Sequence, residues 1–348
     1  MGVIDASFLQ EVYPGVKEEK LFGKWIRIQD IEPLYQNLAS FIRFEKLGDS
    51  EQNRPIYKLS LGSGPKKVLI WSQMHGNEST GTRAVFDFLN FIKDFENHEI
   101  AVAILNECTI EIIPMLNPDG AEVYTRVNGY NIDLNRDAVD RKAKESKLLR
   151  GVLDEFNPKF CFNLHDQRTI FGVDGTKNPA TISFLAPSEE VTRKVTDGRK
   201  ETMNVIVSMN QLLQEMIPNH VGLYTDEFYP TATGDNFQKL GHNCILIEAG
   251  HYPNDYNREE TRKYNFFALL QGLYHIAMTS DFSEHEQYFN IPNNNKQFLD
   301  IIHRNKSKAD EGFLYKDQIK EGVFVSLLEL QEVEDLSSHI GHKEFIFE

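Results

Sequence analysis

The sequence of 348 residues contains little cysteine and has fewer basic than acidic residues. Cys108, Cys161 and Cys244 are an odd number, and the last two lie in apolar runs typical of strands. We therefore expect reduced core cysteines and no disulfide framework. The 37 lysines and arginines against 52 aspartates and glutamates give a formal net charge of −15. This balance argues against a nucleic-acid partner, because such binding begins with cationic side chains that displace counterions from phosphates.

The sequence also lacks a long apolar run. No stretch is long enough to span a bilayer, and the N-terminal residues MGVIDASFLQ have neither the basic start nor the apolar core of a secretory signal. We therefore expect no membrane partner and a cytoplasmic location. The hydrophobic fraction of 41% is ordinary for a globular protein, and the length allows one large domain and a small one.

Short apolar runs typical of strands alternate with segments whose apolar residues recur at helical spacing. The run from Val68 to Trp71 is one example, and a helical pattern from Thr82 to Phe95 follows it. This alternation predicts an α/β fold with a mostly parallel sheet and helices on both faces. The predicted strands cover residues 68–72, 109–114, 160–164, 181–186 and 244–248, and the other predicted helices lie around residues 31–44, 148–156, 212–216 and 258–279.

The chain is predicted to divide into three parts. Residues 1–50 form an N-terminal segment that packs on a main domain of residues 51–280. The sequence then turns polar, and Pro292 is followed by a run of asparagines, which indicates a boundary. Residues 281–348 contain the strand-like runs GVFVSLLEL and KEFIFE, so we expect a small C-terminal domain with β-strands.

Two strand ends carry side chains that can bind a metal ion. In VLIWSQMHGNESTGT the strand stops before His75 and Glu78, and in FCFNLHD it ends at His165. The carboxyl ends of parallel strands meet at one edge of a sheet, where ligand sites gather. Two histidines and a glutamate with an open fourth position are a ligand set for catalytic zinc, and Asp166 is a candidate partner for a ligand histidine. The plain alternatives are a helix-start glutamate beside a loop histidine, and a strand-end histidine bonded to a neighbour.

A long polar loop after another strand carries candidates for binding an anion. Arg126 and Arg136 lie in MLNPDGAEVYTRVNGYNIDLNRD, and an arginine fork matches a carboxylate. Asn135 adds a further donor. The alternative is a pair of solvated loop arginines.

Glu248 ends the almost wholly apolar strand in NCILIEAGH. A carboxylate there is costly unless it lies in a cleft, is paired or is catalytic, and beside an attacking water it is the natural general base. Just upstream, Tyr229 lies in FYPTATGDNF, which is compatible with a mobile loop or with an ordinary surface tyrosine.

Taken in chain order, these motifs resemble the zinc carboxypeptidases of the carboxypeptidase A superfamily. The resemblance covers about residues 50 to 280. It implies a mixed, mostly parallel α/β sheet between helices, so that the main domain is the catalytic domain. The motifs that carry it are His75-Gly-Asn-Glu78, Asn117-Pro-Asp-Gly, Arg126, Asp133-Leu-Asn-Arg136, His165 and Glu248.

The resemblance also implies a role for each matching residue. His75, Glu78 and His165 would bind one Zn²⁺ per chain. Glu248 would activate the attacking water and then protonate the leaving amine. Arg126 would stabilise the oxyanion that forms on the scissile carbonyl.

Further residues would bind the substrate. Asn135 and Arg136 would hold its terminal carboxylate, and Tyr229 would be the mobile substrate-binding tyrosine, with Tyr224 as a nearby alternative. Asp235 would lie at or next to the floor of the pocket for the terminal side chain, where a carboxylate favours lysine, arginine or diaminopimelate. Its alternative role is to cap a turn or a short helix.

The implied activity is the removal of a C-terminal residue from a peptide. An intracellular substrate is expected, because the sequence shows no pro-segment and no disulfide framework. Two alternatives are deacylation of N-acyl amino acids, as in the aspartoacylase and succinylglutamate desuccinylase group, and trimming of murein peptides. The expected partner is a peptide or N-acyl amino acid with a free carboxylate. The complete ligand set argues against a third alternative, a non-catalytic binding module, and the sequence does not indicate the oligomeric state.

Overall fold

The computed structural model describes residues 2–306, 309–333 and 335–347. Within these ranges the strands are β1 (Arg43–Asp49), β2 (Pro55–Gly62), β3 (Lys66–Ser72), β4 (Cys108–Ile113), β5 (Phe160–Asp166), β6 (Phe171–Val173), β7 (Ile182–Leu185), β8 (Val221–Leu223), β9 (Asn243–Ala249), β10 (Asn294–Lys296), β11 (Phe298–Asn305), β12 (Glu311–Lys320), β13 (Val323–Gln331) and β14 (Ile340–Phe347). The α-helices are α1 (Ala6–Val16), α2 (Ile28–Ile31), α3 (Thr80–Asp94), α4 (Glu99–Glu107), α5 (Pro118–Val123), α6 (Lys144–Phe156), α7 (Asp197–Met216), α8 (Thr233–Lys239) and α9 (Glu259–Met278). Short 3₁₀ helices cover Glu32–Asn37, Leu134–Arg136 and Ser283–Asn290.

The central sheet has eight strands in the order β1-β2-β4-β3-β5-β9-β7-β8. Its middle strands β4, β3, β5 and β9 run parallel to one another. β2 pairs antiparallel with β1 and β4, β7 pairs antiparallel with β9, and β8 lies parallel to β7. The predicted fold class, a mixed and mostly parallel sheet flanked by helices, is confirmed. The parallel arrangement brings the carboxyl ends of β3, β5 and β9 to one edge of the sheet.

Helices cover both faces of the sheet, which explains why β3 is apolar from Val68 to Trp71. Val68 and Ile70 of β3 lie in one core, with the buried faces of α3, α7 and α9. Leu69 and Trp71, which point to the opposite face, lie in a second core with residues of α6 and α8. Successive side chains of a strand alternate between the two faces, so a strand buried on both sides needs an unbroken apolar run.

Most predicted elements are present, and one is wrong in part. The helix predicted around residues 31–44 ends early, because Glu32–Asn37 forms a 3₁₀ helix and Phe44 lies in β1. The Phe44 ring stacks on Tyr35 and contacts Tyr57 of β2, so pairing between distant segments decides the conformation here. The three cysteines are free and buried, as predicted.

A separate four-stranded sheet, in the order β13-β12-β11-β14, forms the predicted C-terminal β-domain. Its small core contains Leu299, Ile302, Leu314 and Leu336. The domain boundaries at residues 50 and 280 remain a prediction, although β1 of the central sheet lies before the first of them. In the described part of the chain, no helix combines the length and the apolar character needed to cross a membrane.

Candidate active site

The loop after β3 carries His75 and Glu78 to the edge of the sheet. It is held by the Gln73 side chain, whose Nε2 donates to the backbone oxygens of Ile26 and Gly76 at 2.8 and 2.9 Å. Gly76 packs directly on α5, since a Cβ atom there would lie 2.0 Å from the backbone carbon of Gly120. A residue with a side chain would therefore displace the loop that positions both candidate ligands.

His75, Glu78 and His165 converge at this edge, and all three are buried. Their candidate ligand atoms lie within 4.8 Å of one another. Glu78 Oε1 is 2.9 Å from His75 Nδ1, Glu78 Oε2 is 2.8 Å from His165 Nδ1, and the two Nδ1 atoms are 3.1 Å apart. The backbone N–H of Asp166 also donates to Glu78 Oε2 at 3.1 Å. Two imidazole nitrogens and a carboxylate turned toward one point fit the donor set of a catalytic zinc site.

Asp133, which the sequence analysis did not single out, orients this group. Its Oδ1 lies 3.1 Å from His75 Nε2, and its Oδ2 accepts from Arg126 Nε at 2.9 Å. A carboxylate on the second nitrogen of a ligand histidine fixes the ring and raises its basicity. The motif Asp133-Leu-Asn-Arg136 was the available signal. Asp166, the candidate for this role from sequence, instead accepts from Thr80 Oγ1 at 2.8 Å.

The pKa values of the three candidate ligands follow from burial and from their mutual contacts. Burial disfavours the charged form of His75, but Glu78 and Asp133 raise its pKa above the usual histidine value. Burial lowers the pKa of His165. The pKa of Glu78 would be raised by burial, yet the two imidazoles hold it well below its usual range. Glu78 is therefore an ionised carboxylate facing two ring nitrogens, as a cation site requires.

Glu248 lies on β9 opposite His165 of β5 in the sheet register. Burial, together with the negative charges of Glu78 and Asp166, raises its pKa well above the usual range. A carboxylate with a raised pKa can hold a proton at the pH where it also accepts one, which suits a group that takes and returns a proton.

One cleft, with a volume of about 380 Å³, gathers all the residues predicted from sequence. Its lining includes the three candidate ligands together with groups that can bind a substrate. The predicted residues found in it are His75, Glu78, Arg126, Asn135, Arg136, His165, Tyr229, Asp235 and Glu248. Their individual roles remain predictions.

The two candidate tyrosines both line this cleft but differ in burial. Tyr229 is 45% exposed, its hydroxyl donates to Glu227 at 3.0 Å, and its ring centroid lies 5.8 Å from the guanidinium carbon of Arg136. Tyr224 is more enclosed, and burial raises its pKa to about 12. Tyr229 is therefore the more exposed of the two candidates.

Asn135 and Asp235 each accept a hydrogen bond from a backbone N–H in residues 229–233. Asn135 Oδ1 accepts from the N–H of Thr233 at 2.9 Å, which leaves its amide nitrogen as the available donor. Asp235 Oδ1 accepts from the N–H of Tyr229 at 3.1 Å. Asp235 thus both lines the cleft and caps the preceding turn, and burial raises its pKa to about 6.

Comparison with known proteins agrees with this geometry. Residues 28–181 match the family model of zinc carboxypeptidases, a range that contains the three candidate ligands but not Glu248. Carboxypeptidase SOL1 of Arabidopsis thaliana is 25% identical over 170 residues, which are 43% of this chain and 35% of that protein. Carboxypeptidase 2 of Trichophyton rubrum is 26% identical over 154 residues, or 40% of this chain and 28% of that protein. The chain thus spans about a third of the length of these relatives.

Two solved structures share the fold. The metallo-carboxypeptidase from Burkholderia cenocepacia superposes with a TM-score of 0.55 at 19% identity, covering 70% of this chain and 66% of that one. Carboxypeptidase A from Helicoverpa armigera gives a TM-score of 0.59 at 14% identity, covering 79% of this chain and 80% of that one. The motif order, the buried ligand group and the family match agree, so residues 28–181 are identified as part of a zinc carboxypeptidase domain.

Proposed function

We propose that the chain is a zinc-dependent carboxypeptidase that removes the C-terminal residue of a peptide. The observation that carries this proposal is the convergence of His75, Glu78 and His165 in a cleft that also holds Arg126 and Glu248. Metal ligands, a candidate proton acceptor and a candidate oxyanion donor thus face the same space. These are the parts that hydrolysis of an amide bond needs.

His75, Glu78 and His165 would hold one zinc ion per chain, with Asp133 keeping the His75 ring in place. A bound zinc ion would act as a Lewis acid that polarises the scissile carbonyl and increases the acidity of the attacking water. All other steps fall to side chains of this protein.

Glu248 takes the proton of the attacking water and delivers it to the leaving amine. Burial and the negative charges of Glu78 and Asp166 raise the pKa of Glu248, which favours the protonated form that must return the proton. Arg126 donates to the oxyanion that develops on the scissile carbonyl. Its contacts with Asp133 at 2.9 Å and with Glu78 at 3.4 Å hold the guanidinium in position before the substrate arrives.

Arg136 and the Asn135 amide bind the terminal carboxylate. Arg136 Nη1 donates to the backbone oxygen of Asn135 at 2.7 Å, which leaves the rest of the guanidinium fork for a ligand. Tyr229, beside Arg136, closes over the bound residue. This arrangement selects chain ends, because an internal peptide bond offers no carboxylate to Arg136.

Hydrolysis of paired peptides tests the proposed function. A blocked dipeptide with a free C-terminus should be cleaved, while its C-terminal amide should not, and a chelator should stop the reaction. N-acyl amino acids and murein peptides form the other arms of the assay. Cleavage of N-acyl amino acids alone would assign the chain to the deacylase alternative. Failure to cleave any of these compounds after zinc is added would reject the proposal.

Replacing the two arginines should separate binding from catalysis. We expect Arg136→Ala to raise KM about 10- to 100-fold, because it loses a charge-assisted contact made in the ground state and the transition state alike. Arg126→Ala should instead lower kcat about 10²- to 10³-fold, because the oxyanion exists only after water attacks. Steady-state kinetics on one peptide measures both effects. An equal loss in both constants for both variants would contradict this division.

Asp235 predicts a pH-dependent preference for basic C-terminal residues. Its pKa of about 6 means that the carboxyl loses its negative charge as the pH falls through that value. We expect the ratio of kcat/KM for lysine-ending to phenylalanine-ending peptides to fall about tenfold per pH unit below this point. Protonation of Glu248 affects the cleavage of both peptides equally and therefore does not change this ratio. A preference for phenylalanine that Asp235→Ala leaves unchanged would reduce Asp235 to its capping role.

A cytoplasmic location and the absence of nucleic-acid and membrane partners remain proposals that rest on the sequence.

A further inference from the structure

A second cleft, of about 460 Å³, lies beside the one described above. Arg126, Asp166 and Arg168 line both clefts, so the two meet at the candidate metal site. The second cleft is also lined by residues of β12 and β13, so the C-terminal sheet forms part of its wall.

The C-terminal sheet is held firmly in this position. Lys24 and Asp317 form an ion pair, with side chains only 13% and 17% exposed. Asp300, which is almost wholly buried, accepts from the Tyr256 hydroxyl at 3.1 Å and from the backbone N–H of Tyr315 at 2.7 Å. Buried polar contacts of this kind fix the wall relative to the main domain.

Most charged groups of the second cleft already have partners. Lys316 pairs with Glu329 at 2.9 Å, and Arg258 donates to two backbone carbonyl groups at 2.6 and 2.7 Å. Arg168 is exposed, and among the described residues none forms a hydrogen bond or ion pair with its guanidinium. An arginine fork without a partner beside a reaction centre is available for an anionic group of the substrate.

The two clefts assign a direction to the substrate. On the proposed function, the terminal residue lies in the first cleft near Arg136 and Asp235, and the scissile carbonyl lies beside Arg126. The peptide before the scissile bond therefore extends into the second cleft. We propose that Arg168, with the C-terminal sheet as the facing wall, selects a substrate that carries a carboxylate on the residue before the scissile bond. This inference rests on the proposed function.

A pair of peptides that differ in one group tests the selection. N-acetyl-Glu-X and N-acetyl-Gln-X share the same terminal residue X and differ only in the charge of the preceding one. We expect the wild-type chain, loaded with zinc, to favour the glutamate peptide about tenfold in kcat/KM, the scale of one charge-assisted contact. Arg168→Gln should remove this preference, and Arg168→Glu should favour the corresponding lysine peptide.

Arg43→Gln provides a matched control. Arg43 is exposed on β1, which is the edge strand of the central sheet opposite to β8. The same change of charge there should leave the preference intact. The facing wall is tested by exchanging the charges of Lys316 and Glu329 together, which preserves their ion pair but inverts the polarity of the wall. We expect this exchange to change the preference by about threefold. An unchanged preference would show that the C-terminal sheet does not contribute to the subsite.

Two outcomes would overturn the role of Arg168. One is equal cleavage of both peptides by the wild-type chain. The other is an equal loss for both peptides in Arg168→Gln, which would assign this arginine to the terminal carboxylate. If neither peptide is cleaved, calorimetry with the zinc-loaded Glu248→Gln chain decides. Tighter binding of the glutamate peptide would then support the subsite and reject the peptidase, and no binding of either peptide would reject both.

Discussion

The Glu248→Gln variant is expected to lose hydrolysis about 10²- to 10⁴-fold in kcat while it keeps its zinc. Glutamine preserves the shape of the side chain but cannot accept a proton from the attacking water. Glu248 lies on β9, opposite the candidate ligand His165, but it is not one of the three residues that form the candidate metal site. Turnover and metal content, measured on the same preparation, separate a proton shuttle from a ligand.

Glu227→Gln is the matched control for this variant. Glu227 is an exposed glutamate of the same cleft, and it contacts the Tyr229 hydroxyl rather than the candidate metal site. Its replacement should leave kcat within about threefold of the wild type, the scale of an exposed polar contact. Turnover near the wild-type value in Glu248→Gln would show that the base lies elsewhere.

Zinc affinity should fall in two graded steps when the metal site is altered. Asp133→Asn leaves the ligands in place but weakens the hold on the His75 ring, so we expect a loss of about 10- to 100-fold. His75→Ala removes a ligand outright and should exceed that loss, with hydrolysis lost in parallel. Competition with a chromophoric chelator measures both affinities. Circular dichroism checks that each variant is folded.

Asp166→Asn distinguishes the two carboxylates. Asp166 bonds to Thr80 and lies 3.5 Å from Arg258, so its replacement should affect zinc affinity less than Asp133→Asn. If Asp166→Asn lowers zinc affinity more than Asp133→Asn does, Asp166 is the partner of the ligand histidine, as predicted from the sequence.

The candidate metal site was predictable because it depends on strand ends. Buried parallel strands show as apolar runs, and such strands bring their carboxyl ends to a common edge, so His75 and His165 could be placed together from their positions alone. Glu248 followed from the same rule, as a charged group that terminates an apolar strand. The apolar runs of the strands therefore located His75, His165 and Glu248, which lie at or just after strand ends.

The parts that escaped prediction depend on contacts between distant segments. Asp133 reaches His75 from a loop 58 residues away in sequence, and the motif that contains Asp133 does not itself show which side chain it contacts. The edge strand β1 was not predicted, and a predicted helix overlapped its first two residues, because β1 is largely exposed and lacks a clear apolar run. The docking of the C-terminal sheet rests on pairs such as Lys24 with Asp317, which only the folded chain brings together.

Metal analysis of the purified chain shows whether His75, Glu78 and His165 hold a zinc ion. The chain is purified without added metal, and its zinc content is then measured by mass spectrometry beside the His75→Ala variant. We expect about one zinc ion per wild-type chain and far less in the variant. A wild-type content near zero that added zinc does not restore would contradict this expectation.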